Sequence, residues 1–240
     1  MATAERAVPA RSDSVFFPSM AIVMALTVFA GFSRTFYLRG VFHPPLVLSH
    51  LMIAHGLVFT TWIALVVTQT GLVAANRRDL HMKLGVFGAA LATAMLVLGT
   101  WLAIDALRRG HAPHGAPSPT AFFAIPMEAI TVFAVLLVWG IANRARSDWH
   151  KRFMILSTAA ILPAALARLP VGFIEHGGPP VFFALTDLFL VAMAVYDFRT
   201  NGRLHPATLR AGVVLLLAQP LCLAIGMTGP WAAFAHWVAG

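Results

Sequence analysis

The chain has 240 residues, of which 59% are apolar and 11% charged, with one cysteine and a formal net charge of +8. Soluble domains carry about 25% charged residues, so this composition excludes an ordinary water-soluble globule. The lone Cys222 excludes an intrachain disulfide and a cysteine metal cage.

Seven apolar runs are each long enough for a membrane helix of roughly 20 residues. They span about 15–33, 46–74, 84–106, 120–142, 153–174, 181–198 and 209–227. The first follows a polar tail, 1–14, and no small-x-small cleavage signal follows it at Ala30-Gly31-Phe32-Ser33. It therefore reads as a retained helix rather than a signal peptide. The second run begins after His43-Pro44-Pro45 and ends near Asn76-Arg77-Arg78. A loop containing His111, Pro113, His114 and Pro117 precedes the fourth, and Pro179-Pro180 opens the sixth. Residues 228–240 form a short outer segment after the seventh. Backbone polar groups must be satisfied internally in lipid, so every run is expected to be a helix. The expected fold class is all-α, an integral membrane bundle of about seven transmembrane helices.

Charge orients this bundle and argues against a nucleic-acid partner. With the first residue cytoplasmic, the inner connections carry Arg6, Arg11, Arg77, Arg78, Lys83, Arg144, Arg146, Lys151, Arg152, Arg199, Arg203 and Arg210. The outer side carries only Arg34, Arg39, Arg108, Arg109 and Arg168. This bias is the positive-inside pattern. It places the N-terminus in the cytoplasm and the C-terminus outside, in a plasma membrane of bacterial type. The expected partners are the bilayer and other membrane proteins or further copies of the chain.

One short pattern occurs twice, as Asp79-Leu80-His81-Met82-Lys83-Leu84 and Asp148-Trp149-His150-Lys151-Arg152-Phe153. Each copy opens a long apolar run from the inner face. The repeat pairs helices two and three with helices four and five, which predicts a four-helix core with helices one, six and seven peripheral.

Titratable groups inside spans are costly and mark candidate functional sites. An outer group comprises His50, His55, Glu128, Asp187, Asp105 and Arg168; an inner group comprises Asp79, His81, Asp148, His150 and Asp197. Three readings compete. In the first, His81 and His150 hold a b-type haem between separate helices, and His55 is deep enough to ligate a second. Helix four then offers only Met127 and Glu128 opposite His55. In the second, His50, His55, Glu128 and Asp187 supply nitrogen and oxygen ligands for zinc or iron. The two histidines are five positions apart, which sets them about 140° apart around a helix. In the third, the groups are structural. His81 and His150 then only cap helices and bind lipid phosphate beside Arg and Lys, Asp79 and Asp148 favour helix N-termini through the dipole, and Glu128 pairs with Arg168. A transport or small-molecule cavity built on Glu128, Arg168 and Asp187 is the non-redox alternative.

Three motifs carry a family resemblance: His55-Gly56, His81-Met82-Lys83-Leu84-Gly85 and His150-Lys151-Arg152-Phe153-Met154-Ile155. Over about 45–170 the chain resembles a group of uncharacterised bacterial multi-pass membrane proteins with paired His-x-[Lys/Arg] turns. It is more weakly similar to b-type membrane cytochromes, which implies haem ligation and a redox or respiratory accessory role. The absent histidine in helix four departs from the two-haem pattern.

Overall fold

The computed structural model describes residues 11–45, 47–113 and 116–240. The topology signal Arg6, the predicted helix start at Leu46 and the loop residue His114 lie outside the described residues. The architecture is all-α. In chain order the helices are α1 (Arg11–Phe32), α2 (Arg39–Phe42), α3 (His50–Ala74), α4 (Arg78–Arg108), α5 (Pro119–Ala142), α6 (Ser147–Ala160), α7 (Pro163–Leu166), α8 (Gly172–Asn201), α9 (Pro206–Gly226) and α10 (Gly229–Ala239). A π-helical turn, Ser33–Tyr37, extends α1.

The punctuation explains these boundaries. Ser49, Ser118 and Thr228 accept from the backbone N–H groups of Met52, Ala121 and Trp231, capping α3, α5 and α10. Pro119 and Pro206 occupy the opening turns of α5 and α9, where a missing N–H costs nothing. Gly202 (φ 67°) ends α8 in the left-handed region.

Six helices are long and apolar enough to cross a membrane: Arg11–Tyr37, His50–Ala74, Arg78–Arg108, Pro119–Ala142, His176–Asn201 and Pro206–Gly226. Large apolar side chains such as Val86, Leu188 and Leu217 point outward on them. The molecule is a multi-pass membrane protein.

The predicted fifth span differs, being a broken helix. Pro163 cannot donate a hydrogen bond, and the N–H groups of Ile161, Leu162 and Ala165 reach back only three residues. The stretch nevertheless climbs beside α1. Lys151 meets Asp13 at one end, and Arg168 lies over Phe32 at the other. Asp13 to Phe32 spans roughly 28 Å at 1.5 Å per residue, close to the hydrocarbon thickness of about 30 Å. Residues 151–168 thus form a seventh, interrupted pass. The end at which α1 starts is termed the floor, and the opposite end the roof.

Close approach holds the passes together. A Cβ on Gly31 would stand 2.1 Å from the Ala165 carbonyl oxygen, so α1 and α7 touch backbone to backbone there. The predicted hairpins exist: α3 packs on α4, α5 on α6, and α4 on α5. The core also extends beyond those four helices, because Ala21 and Met24 of α1 and Ala211 and Leu215 of α9 are buried. Trp62 is packing rather than an interfacial anchor: it is 2% exposed, stands edge-on to Phe133, and donates from Nε1 to Thr158 Oγ1 at 3.2 Å.

Candidate functional site

The two Asp-x-His turns come together at the floor. Asp79 and Asp148 occupy the first turns of α4 and α6, as the dipole favours. His81 and His150 follow two residues later, with ring centres 6.2 Å apart and planes at 81°. Two imidazoles bound to one ion from opposite sides have ring centres roughly 6 Å apart, given N–metal distances of about 2.0–2.1 Å. His150 Nδ1 lies 2.8 Å from the Gly140 carbonyl oxygen, a contact made when Nδ1 carries the proton. That tautomer leaves the Nε2 lone pair free, the usual arrangement of a ligating histidine. His81 Nδ1 is buried with no hydrogen-bond partner. The Gln69 amide donates to the His81 carbonyl at 3.2 Å, tying the end of α3 to the start of α4.

An ionic network lies at the same end of the bundle, linking α1, α6, α8 and α9. Arg152 and Asp197 are almost fully buried, and Arg152 Nε donates to Asp197 Oδ1 at 2.9 Å. Asp197 Oδ2 accepts from the Thr208 hydroxyl and from the His205 backbone N–H. His205 Nδ1 accepts from Ala207 N–H at 3.1 Å, which places the imidazole proton on Nε2, 3.1 Å from Asp148 Oδ2. Burial and the nearby Arg152 charge lower the His205 pKa, against the pull of Asp148. Burial opposes ionisation of Asp148, but the His205 hydrogen bond and backbone donors outweigh it and hold the carboxyl below its usual value. Lys151 bridges to Asp13 at 2.7 Å, and the Tyr196 hydroxyl donates to the same carboxylate. Of this network, only the inner-layer position of Asp197, Asp148 and their basic neighbours is readable from sequence. The one local signal for the buried pair is Arg152 inside the His-Lys-Arg turn.

The outer candidates do not gather as one ligand set among the described residues. His50 is exposed at the first turn of α3. His55 is deeper, stacks on Phe59 (4.0 Å), and keeps Nδ1 buried without a partner. Phe36 lies where a Cβ on Gly56 would stand, so glycine beside His55 admits that ring. Glu128 Oε2 is buried without a partner, and Asp187 Oδ1 accepts from Gln219 Nε2 at 2.8 Å. Among the described residues no three His, Cys, Asp or Glu side chains converge on a common ion. The set His50, His55, Glu128 and Asp187 is therefore not gathered, as the helical angle between its histidines requires. The only ring contact between histidines among the described residues is His81–His150, so His55 lacks an imidazole partner for a second haem.

The expected Glu128–Arg168 ion pair is also corrected. Arg168 is exposed, donates to the Ala164 carbonyl at 2.6 Å, and lies 5.0 Å from the centre of Phe32. No ion pair joins it to Glu128 among the described residues. The break at Pro163 sends the following turn onto α1 instead of α5.

Chemically, the floor pair offers two imidazole nitrogens and, among the described residues, no third His, Cys, Asp or Glu side chain gathered with them. That donor set falls short of the four protein donors of a structural zinc site. No protein-family model matches the chain, and neither curated proteins nor solved structures provide a match.

Proposed function

We propose that this is a plasma-membrane redox protein of bacterial type, with the floor facing the cytoplasm, that binds haem b through His81 and His150. In this reading it carries electrons as, or beside, a component of a respiratory complex. The observation that carries the reading is the His81–His150 approach at 6.2 Å, with His150 Nδ1 held by the Gly140 carbonyl and His81 Nδ1 lacking a partner. Bound haem supplies one-electron chemistry whose potential follows axial ligands and burial. The chain's own contribution is orientation. Gly140 fixes the His150 tautomer, Gln69 fixes the start of α4, and the Arg152–Asp197 pair fixes α6 against α8. Excess Arg and Lys at the floor support the cytoplasmic orientation.

The test is the visible spectrum of full-length protein purified from haem-replete cells. A Soret band that disappears in His81→Ala and in His150→Ala supports the reading. A colourless wild-type preparation without extractable haem overturns it.

A second reading rests on a separate observation, the buried Glu128 Oε2 and His55 Nδ1 that lack partners. Here the protein is a transporter or small-molecule binder, with Glu128, Asp187 and Gln219 facing the cargo. Saturable ligand uptake by proteoliposomes, lost in Glu128→Gln while the spectrum stays blank, selects it.

A further inference from the structure

The floor holds more cations than its carboxylates can neutralise, and two of them converge on one ring. Asp13 is bound to Lys151, Asp79 to Arg77, Asp148 to His205 and Asp197 to Arg152. Arg146 and Arg210 have no ion pair among the described residues. Their guanidinium carbons lie 4.3 Å and 4.9 Å from the centre of the same Trp149 ring. Arg146 comes from the turn before α6, and Arg210 from the first turns of α9. The indole cannot swing away: it is 8% exposed and wedged against Phe153 and His205. Two like charges are thus held on one rigid aromatic support by cation–π attraction. Asp148, the residue before Trp149 in the chain, is already engaged by His205.

We propose that Arg146, Trp149 and Arg210 form a binding site for the phosphate of an anionic phospholipid in the floor leaflet. Guanidinium forks match phosphate oxygens in a way that point-charge ammonium groups do not. The choice of a lipid over a soluble phosphate follows from the surroundings. Trp149 sits at the first turn of a pass that enters the bilayer, the level at which indoles meet headgroups. Beside Arg210 on α9, Leu209 and Val213 are exposed apolar side chains, 54% and 48% accessible. Val213 lies one turn deeper than Arg210, where an acyl chain would run beneath its headgroup. Anionic leaflets attract each nearby Arg or Lys, and this pair concentrates that attraction at one point.

The test measures lipid retained by full-length protein reconstituted in nanodiscs of phosphatidylcholine with one quarter phosphatidylglycerol, then washed in mild detergent. The wild type should retain phosphatidylglycerol roughly tenfold enriched over the bulk ratio, two arginines at a headgroup being worth at least that factor. The double variant Arg146→Gln/Arg210→Gln should fall to the bulk ratio. Arg199→Gln/Arg203→Gln, which removes equal charge from the same end, should keep most of the enrichment. Equal loss in both double variants means diffuse attraction and overturns the site, as does wild-type retention at the bulk ratio. Release of the lipid by millimolar inorganic phosphate assigns the pair to a soluble anion and overturns the lipid assignment. If the glutamine variant does not fold in phosphatidylcholine alone, Arg146→Lys/Arg210→Lys decides. At least threefold lower enrichment with charge preserved supports the site, and unchanged enrichment sinks it.

Discussion

The floor and the middle of the bundle treat carboxylates in opposite ways. At the floor Asp13, Asp79 and Asp197 each have a cation and Asp148 has the His205 imidazole, and the most buried, Asp197, also accepts from Thr208 and a backbone N–H. In the middle Glu128 and Asp187 have no cation among the described residues, and Glu128 keeps one buried oxygen bare. Lipid makes both arrangements expensive, but for different reasons. A paired buried charge becomes costly only when one partner is removed. A bare buried oxygen is costly as it stands, so its retention points to something other than stability. The floor therefore reads as the clasp that joins α1, α6, α8 and α9, and the middle as a place where polarity is kept for use.

The sharpest way to break this comparison is Asp197→Ala. It strands the Arg152 guanidinium in a buried position and should cost about 3–5 kcal/mol, seen as a collapse of thermal stability in detergent. Arg152→Met combined with Asp197→Leu should recover most of the loss, which would locate the cost in the stranded charge. Next in size is Gly31→Ala in the roof half. Its Cβ would meet the Ala165 carbonyl oxygen, and overpacking of this kind costs about 1–3 kcal/mol. The same melting assay reads it, and an unchanged midpoint would mean the α1–α7 contact is looser than described. Glu128→Leu should act in the opposite direction, raising stability by about 1 kcal/mol, because it removes an unsatisfied buried oxygen. A destabilised Glu128→Leu would erase the distinction between the two layers.

The smallest effect is pH dependence through His205 and Asp148. The folded protein holds His205 below its unfolded value of 6.5. Between the two values the unfolded chain binds a proton that the folded chain does not, so acid favours unfolding. The His205 contribution is complete above 6.5 and is lost as pH falls toward the lower folded value. A second loss follows below 3.8, the unfolded value of Asp148, whose folded value is also depressed. Protonation at His205 Nδ1 sets an N–H against the Ala207 N–H, opening the α9 cap. In His205→Ser, which preserves a capping oxygen, melting curves should lose the upper step.

The long apolar runs were readable because a membrane demands length, and proline, glycine and serine mark where each helix starts or stops. The two Asp-x-His turns also announced their shared end of the bundle, since successive antiparallel passes return to the same face. What could not be read was rotation. The expectation that Glu128 pairs with Arg168 assumed an unbroken fifth helix, and Pro163 turns the arginine onto Phe32 instead. Asp13 escaped notice because its partner Lys151 lies on a pass far away in sequence. Only the side-by-side packing of α1 and the fifth pass brings them together. The break at Gly178, with φ 63° inside α8, falls by contrast where Pro179-Pro180 is expected to open the sixth helix.

The interruption at Pro163 has a mechanical meaning. A continuous rod transmits a push along its length, whereas a jointed one absorbs it at the joint. The roof half of the fifth pass is fastened to α1 through Ala165 and Gly31, and the lower half to α8 and α9 through Arg152 and Asp148. The joint at Pro163 thus separates the roof anchors of this pass from the turn that carries His150.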